Sequence, residues 1–164
     1  MKALFRITSN ESISPELFGY IRELLPDGAT ILELGSGEGT GELSKFYKMY
    51  SIEHDRRWLN KYQSRYIHAP LVDGWYDVEI LRNHLPGDYD LILVDGPPAH
   101  NKNLSRSRHG FYRNIGLFNT KVPIIIDDVH RKYDHEHLLR LGKRLGKEPK
   151  IFTCKDRKMF GVLK

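Results

Sequence analysis

Short apolar runs alternate with amphipathic segments along most of this chain of 164 residues. A short apolar run bounded by glycine, proline or aspartate predicts a buried strand, and apolar residues spaced three and four apart predict a helix. The strands predicted in this way are 30–34, 49–53, 66–69, 90–94 and 122–126. The helices predicted between and after them are 41–47, 56–64, 77–84, 108–118 and 133–146. Strand and helix therefore alternate along the chain.

The two ends of the chain carry further signals. Ser14 followed by Pro15 predicts the start of a helix that runs to Leu25. Near the other end, the apolar runs 151–154 and 158–163 flank a polar turn and predict a hairpin. Together these elements predict an α/β fold, with a doubly wound, mostly parallel seven-stranded sheet that ends in an antiparallel hairpin.

Length and composition predict one globular domain that spans residues 1–164. Hydrophobic residues make up 40% of the chain and charged residues 29%, a balance typical of soluble proteins. No apolar run approaches the ~20 residues that span a bilayer, and no signal-peptide core is visible, so we expect a cytoplasmic location and no membrane partner. Cys154 is the only cysteine, which excludes an internal disulfide, and its apolar neighbours predict an inert strand residue.

The most specific motif lies between the first two predicted strands. The apolar run 31–34 opens into the sequence GSGEGTG at 35–41, and the next apolar run ends at Glu53. Glycines permit backbone torsions and a close ligand approach that a Cβ atom would block. An acid at the tip of the second strand can accept hydrogen bonds from a ribose diol. The segment therefore predicts a nucleoside-binding site.

Two nucleoside ligands fit a unit of this kind. The dinucleotide fingerprint requires glycine or alanine where the helix opens, and counting from Gly35 and Gly37 places Thr40 there. An NAD-binding oxidoreductase is therefore the third choice. The sequence closely resembles motif I of the class I S-adenosylmethionine-dependent methyltransferases, Glu-x-Gly-x-Gly-x-Gly, which begins here at Glu33. Glu53 stands in the family's ribose-binding position.

This resemblance implies S-adenosylmethionine as the cofactor. It implies that the motif I residues hold the methionine portion of the cofactor and that residues after the second and third strands hold its nucleoside portion. Trp75 or its neighbour Tyr76 could stack on the adenine ring, or seal the core instead. The candidate cofactor residues are Glu33, Gly35, Ser36, Gly37, Gly39, Glu53, His54, Asp73, Trp75 and Asp95.

Acidic residues follow two of the predicted strands. Asp95 ends the strand 90–94, and Asp127 and Asp128 end the strand 122–126. Because the carboxyl ends of parallel strands meet at one edge, these carboxylates would repel one another unless a cation neutralised them. Oxygen ligands suit Mg²⁺ or another hard divalent ion. In the alternative interpretation Asp128 caps the following segment and Asp95 orients a ligand without metal.

The aspartates also resemble the metal-binding pattern of the catechol and caffeoyl-coenzyme A type O-methyltransferases. That resemblance implies metal binding by Asp95, Asp127 and Asp128, with Asp128 in place of the family's asparagine, and a metal-activated acceptor hydroxyl. The family's catalytic lysine falls at Pro98 here. A more distant similarity connects the two motifs with the plant glucuronoxylan O-methyltransferases, which act on an acidic sugar. The candidate catalytic residues are Asp95, His100 and Lys102.

Positive charge is concentrated in two segments. Residues 99–114 contain four bases and no acid, and residues 131–150 contain seven bases and three acids. The positive charge of the second segment is explained by the solvated face of an amphipathic helix. In the first segment, Arg106, Arg108 and Arg113 are the candidates for binding an anionic group of the acceptor.

We therefore expect a methyltransferase that methylates an oxygen of a small-molecule or saccharide acceptor with an anionic group. A nucleic acid is a less favoured acceptor, as for an RNA methyltransferase. A subunit that binds the cofactor without catalysis is a further alternative, because the lysine is missing and the chain is small. The short N-terminal segment leaves little material for a lid, so the acceptor site is open or is completed by another copy in a homo-oligomer.

Two other groups of residues have ordinary structural explanations. Trp58 and Tyr62 stand at helical spacing, which predicts that Trp58 packs in the core. His130, His135 and His137 resemble metal ligands but lack the paired-histidine spacing of a zinc protease helix, so they predict a solvated helix start.

Overall fold

The computed structural model describes residues 12–99 and 104–164. Nine short strands occur in these residues, and those in the middle of the main sheet are the most buried. Their bounds are β1 Thr30–Leu34, β2 Lys48–Glu53, β3 Arg65–His68, β4 Leu71–Val72, β5 Trp75–Tyr76, β6 Leu91–Val94, β7 Ile124–Ile126, β8 Lys150–Thr153 and β9 Met159–Leu163. The helices are α1 Pro15–Leu24, α2 Glu38–Leu43, α3 Val78–His84, α4 His109–Arg113 and α5 Lys132–Leu145.

Seven of these strands form one sheet in the order β3-β2-β1-β6-β7-β9-β8. All neighbours are parallel except that β9 runs antiparallel to both β7 and β8. The predicted doubly wound sheet with a terminal antiparallel hairpin is confirmed. Because the strand order reverses between β1 and β6, a crevice forms at their carboxyl ends, where open sheets of this type bind ligands.

Helices cover both faces of the sheet. Leu32 and Leu34 of β1 contribute to a core that also contains Leu138 and Leu141 of α5. Ile31, on the opposite face of β1, contributes to a second core that α1 covers. Because both faces of the central strands are covered, successive side chains are buried on opposite faces. This explains why the central strands are continuous apolar runs in the sequence. No helix in the described part of the chain has the length and apolar character needed to cross a membrane.

The predicted helix over 56–64 is wrong. Only Arg56–Trp58 forms a short 3₁₀ turn, which begins where the Asp55 side chain accepts a hydrogen bond from Arg57 N at 2.9 Å. Leu59 is already extended, and Asn60 has a positive φ of 58°, so the backbone turns away from a helix. Two other predicted helices are shorter: α2 ends at Leu43, and α4 ends at Arg113 before a 3₁₀ turn.

A small hairpin after β3 was not predicted. It consists of β4 and β5, which pair in the register Leu71 with Tyr76 and Val72 with Trp75. Asp73 and Gly74 form its turn with φ values of 50° and 80°. Asp-Gly between two apolar pairs is a strong hairpin signal, so the sequence did contain the information. The hairpin brings the Tyr76 side chain to the ligand-binding edge of the sheet.

Candidate functional site

A cavity of about 440 Å³ opens at the carboxyl ends of β1, β2, β6 and β7. Its wall has two chemically different sides. One side carries the glycine-rich loop from Gly35 to Glu38 and the segment after β2, including Glu53 and Trp58. The other carries Asp95, Asp127 and Asp128. The geometry therefore joins a loop suited to a nucleoside ligand to a cluster of carboxylates.

The floor of the cavity depends on two glycines in contact. Gly35 has a φ of +91°, and a Cβ atom there would lie 3.0 Å from the main-chain oxygen of Asp95. A Cβ atom on Gly96 would lie 2.7 Å from Gly35 Cα and 2.4 Å from the Tyr76 hydroxyl. Side chains at these positions would push β1 and β6 apart, which is the physical reason for glycine at both.

Glu53 is held at the tip of β2 by three hydrogen bonds. Oε2 accepts from Ser36 N at 2.8 Å, Oε1 accepts from Asp55 N at 2.8 Å, and Nδ1 of His54 lies 3.0 Å from Oε1. Burial alone would raise the pKa of Glu53, but the hydrogen bonds from His54 and the two amides lower it below the ordinary value. The carboxylate is therefore charged at neutral pH and has lone pairs available for a ligand.

Glu33 does not line the cavity, although motif I would place it on the ligand. It is only 3% exposed and accepts hydrogen bonds from Thr40 Oγ1 at 2.6 Å and Ser51 Oγ at 2.5 Å. Thr40 in turn accepts a hydrogen bond from Gly37 N at 3.0 Å. Burial raises the pKa of Glu33 to about 7, against the opposing effect of these two hydroxyls. Glu33 therefore supports the glycine-rich loop from beneath.

The three aspartates come together as expected. One carboxylate oxygen from each of Asp95, Asp127 and Asp128 can lie within 4.8 Å of the others. Burial, followed by repulsion from Asp127, raises the pKa of Asp95 well above its ordinary value, and burial with repulsion from Asp128 raises the pKa of Asp127 to about 7. A cluster with these properties attracts a proton or a cation.

Arg108 supplies one cation to this cluster and is not available to an acceptor as predicted. Its side chain is only 4% exposed, and Nη1 lies 3.3 Å from Asp128 Oδ2. Nη1 and Nη2 also donate to the main-chain oxygens of Asp127 and Asp95, at 3.2 and 2.9 Å. Behind it, Asp134 Oδ1 lies 3.9 Å from Nη1. The guanidinium donors are already used within the protein, so Arg108 fixes the two strand ends relative to each other.

Arg108 lines the cavity, whereas several other predicted residues lie away from it. Arg106 is exposed and lies 4.3 Å from the Tyr133 ring, and Arg113 lines a separate surface depression with Asp73 and Trp75.

Trp75 is buried because it packs against Gly110, where a Cβ atom would lie 2.2 Å from its ring. Gly39 is also buried, where a Cβ atom would lie 3.0 Å from the Ile13 side chain. His100 and Lys102 lie outside the described residues.

The structure also brings residues to the cavity that sequence reasoning missed. Trp58 is half-buried at its wall and is not a core residue, because the predicted helix is absent there. His130, Arg131 and Lys158 line the side next to the aspartates. Tyr76, which was predicted to stack on the adenine ring or to seal the core, reaches the cavity from β5. Arg131 could have been found by its spacing, three residues after Asp128, to which it is paired at 3.0 Å.

The histidines of α5 are not all solvated. His137 is fully buried, and its ring stacks on His109 at 5.1 Å between centroids. Burial lowers the pKa of His137 to about 3, so it is neutral. His137 is therefore a packing residue of the core next to Asp134, and the predicted solvated position is wrong for this residue.

Comparisons with known proteins reveal similarity only at the level of structure. No family model and no curated protein matches the sequence. A methyltransferase from Pyrococcus furiosus has 16% identity and a TM-score of 0.63, with coverage of 90% of this chain and 80% of that one. A Staphylococcus aureus protein assigned as a caffeoyl-CoA O-methyltransferase has 16% identity and a TM-score of 0.61, with coverage of 93% and 84%.

A third similar structure contains ligands. The MycE methyltransferase, in complex with Mg, S-adenosylhomocysteine and mycinamycin VI, has 14% identity and a TM-score of 0.52, with coverage of 92% of this chain and 45% of that one. At these identities the similarity shows the fold alone. The described chain has the Rossmann-like α/β fold of these methyltransferases.

Proposed function

We propose that this chain is an S-adenosylmethionine-dependent methyltransferase that methylates an oxygen of a small or saccharide acceptor with an anionic group. The observation that carries the proposal is the single cavity that joins the glycine-rich loop and Glu53 to the aspartates at the ends of β6 and β7. A ligand that spans this cavity would have its nucleoside portion at Glu53 and its reactive end near Asp95. The cofactor supplies an electrophilic methyl group when it is bound.

The contribution of the protein would be alignment of the two reactants and handling of one proton. Glu53 would accept hydrogen bonds from the ribose hydroxyls, while the loop amides and the glycine contact hold the rest of the cofactor. In the absence of a bound cation, ionised Asp95 would accept the proton of the acceptor hydroxyl, because its raised pKa makes it a better base than an ordinary carboxylate. Arg108 would hold Asp95 in place.

A divalent cation fits the same aspartates. Asp95 Oδ1 and Asp128 Oδ2 face Arg108, and Asp127 Oδ1 accepts a hydrogen bond from Asp128 N. The other oxygen of each carboxylate accepts no hydrogen bond from the described residues, and three such oxygens suit Mg²⁺. The pairing of Asp128 with both Arg108 and Arg131 offsets the extra charge relative to an asparagine. A bound cation would lower the pKa of the acceptor hydroxyl.

The anionic character of the acceptor is supported by different residues from those predicted. Arg131 and Lys158 line the cavity next to the aspartates, whereas Arg106 and Arg113 do not.

An RNA acceptor has one observation in its favour: Arg140 and Arg144, both exposed on α5, lie 4.8 and 4.9 Å from the Tyr112 ring and form a basic surface outside the cavity.

The test is transfer of radiolabelled methyl groups from S-adenosylmethionine to separate pools of anionic metabolites, acidic glycans and RNA. We expect labelled glycan or metabolite, with transfer reduced by the double variant Arg131→Gln/Lys158→Gln and unaffected by Arg140→Gln/Arg144→Gln. Labelled RNA that depends on Arg140 and Arg144 would instead favour the RNA methyltransferase. Cofactor binding without transfer to any pool would favour the non-catalytic partner subunit.

A further inference from the structure

We propose that the Tyr76 hydroxyl donates a hydrogen bond to the nucleoside half of the cofactor. This inference rests on the proposed function. It begins from one anomaly: Tyr76 is only 1% exposed, yet its hydroxyl has no hydrogen-bond partner in the described part of the chain. Buried polar groups are almost always paired, so an unpaired hydroxyl at the wall of a ligand cavity requires an explanation.

The position of this hydroxyl is fixed by its surroundings. Tyr76 belongs to the hairpin of β4 and β5, and its ring packs edge-on against Trp75 with 5.0 Å between centroids. The hydroxyl reaches the contact between Gly35 and Gly96, where a Cβ atom on Gly96 would lie only 2.4 Å from it. The side chain therefore lies at the floor of the cavity, next to Gly35, the first residue of the glycine-rich loop.

The electrostatics make this hydroxyl a donor. Burial raises the pKa of Tyr76 well above its ordinary value, and the nearby carboxylates of Glu53 and Asp95 raise it further. The phenol therefore keeps its proton at any physiological pH. The hydroxyl lies at Gly35, next to Ser36, whose amide donates to Glu53 at 2.8 Å. A ligand oxygen or nitrogen of the nucleoside half at Glu53 would provide the missing acceptor.

The variant Tyr76→Phe should act in opposite directions on the free protein and on the complex. In the free protein it removes an unpaired buried hydroxyl, so the melting temperature should stay the same or rise. In the complex it removes a hydrogen bond, so the dissociation constant for S-adenosylhomocysteine should increase about 3- to 10-fold. A purely structural tyrosine would change both quantities in the unfavourable direction or leave affinity unchanged.

Tyr89→Phe is the matched control, because Tyr89 is also a buried tyrosine but has a partner. Its hydroxyl accepts a hydrogen bond from Asn119 N at 2.6 Å, and Tyr89 is not part of the cavity wall. This variant should lower the melting temperature by about 2–4 °C, the shift for one net hydrogen bond in a chain of this size. Its affinity for S-adenosylhomocysteine should match that of the unchanged protein.

The ligand 5′-methylthioadenosine, which lacks the amino-acid portion, locates the contact. We expect Tyr76→Phe to weaken calorimetric binding of this ligand and of S-adenosylhomocysteine by the same factor. Loss with S-adenosylhomocysteine alone, or unchanged affinity for both, would overturn the inference while the cofactor assignment stood. Failure of the unchanged protein to bind S-adenosylhomocysteine would instead overturn the proposed function, so the two failures are distinguishable.

Discussion

Arg108 holds Asp95 by two contacts at once: Nη2 donates to the main-chain oxygen of Asp95 at 2.9 Å and lies 3.4 Å from its Oδ1. The same guanidinium contacts Asp127 and Asp128 at the end of the neighbouring strand. One side chain thus sets the distance between the acids that would face the methyl acceptor. This requires the planar, forked donors of arginine, which a lysine cannot supply.

The first prediction concerns this buried cation. Arg108→Met should lower the free energy of unfolding by about 3–5 kcal/mol, because it leaves buried carboxylates without their partner. Arg106→Met is the control, since Arg106 is exposed and should contribute less than about 1 kcal/mol through its contact with Tyr133. Urea unfolding of both variants measures the difference. Equal losses would contradict the role assigned to Arg108.

The second prediction concerns the ribose. Glu53→Gln should weaken binding of S-adenosylhomocysteine by about 1.5–3 kcal/mol, the range for hydrogen bonds to a charged group. Titration calorimetry provides the affinity, and a melting curve verifies that the variant is folded. Glu79→Gln, an exposed residue of α3 away from the cavity, should bind normally. Unchanged affinity in folded Glu53→Gln, or tighter binding of NAD than of S-adenosylhomocysteine, would refute the cofactor assignment.

The third prediction concerns the metal. If Asp95, Asp127 and Asp128 hold a divalent ion, Mn²⁺ at 100 times its dissociation constant should add about 2.7 kcal/mol to stability. The variant Asp127→Asn/Asp128→Asn should lose this response, whereas Asp73→Asn, outside the cavity, should keep it. Thermal melting with Mn²⁺ and with EDTA measures the effect. Identical curves for the unchanged protein under both conditions would leave these aspartates without a metal role.

The fourth prediction concerns pH. The pKa of Glu33 is raised to about 7 in the folded protein from 4.5 as a free group. The folded state therefore binds more protons than the unfolded state, and the stability that Glu33 contributes is lost as pH rises towards 7. Compared with Glu33→Gln, the unchanged protein should lose about 3 kcal/mol between pH 4 and pH 8. Parallel stability profiles of the two proteins would contradict the burial of this acid.

The sequence by itself determined the order of elements and the type of sheet. Strand runs such as 31–34 and the capping pair Ser14 and Pro15 are local signals, because the period of apolar residues and the preferences of caps act over a few neighbouring residues. The sequence also predicted that Glu53, Asp95, Asp127 and Asp128 lie at one edge of the sheet, because the carboxyl ends of its parallel strands meet there. The prediction of a helix over 56–64 was wrong because Asp55 caps a short 3₁₀ turn and the positive φ of Asn60 turns the backbone away from a helix.

Only the tertiary structure decided the direction and burial of individual side chains. Arg106, Arg108 and Arg113 are indistinguishable by local charge, yet only Arg108 faces the carboxylates. Glu33 belongs to the cofactor motif by sequence but is buried beneath the loop, where Thr40 and Ser51 satisfy it. These positions depend on packing between elements that are distant along the chain, so a side chain's contacts follow from the whole fold rather than from its neighbours in sequence.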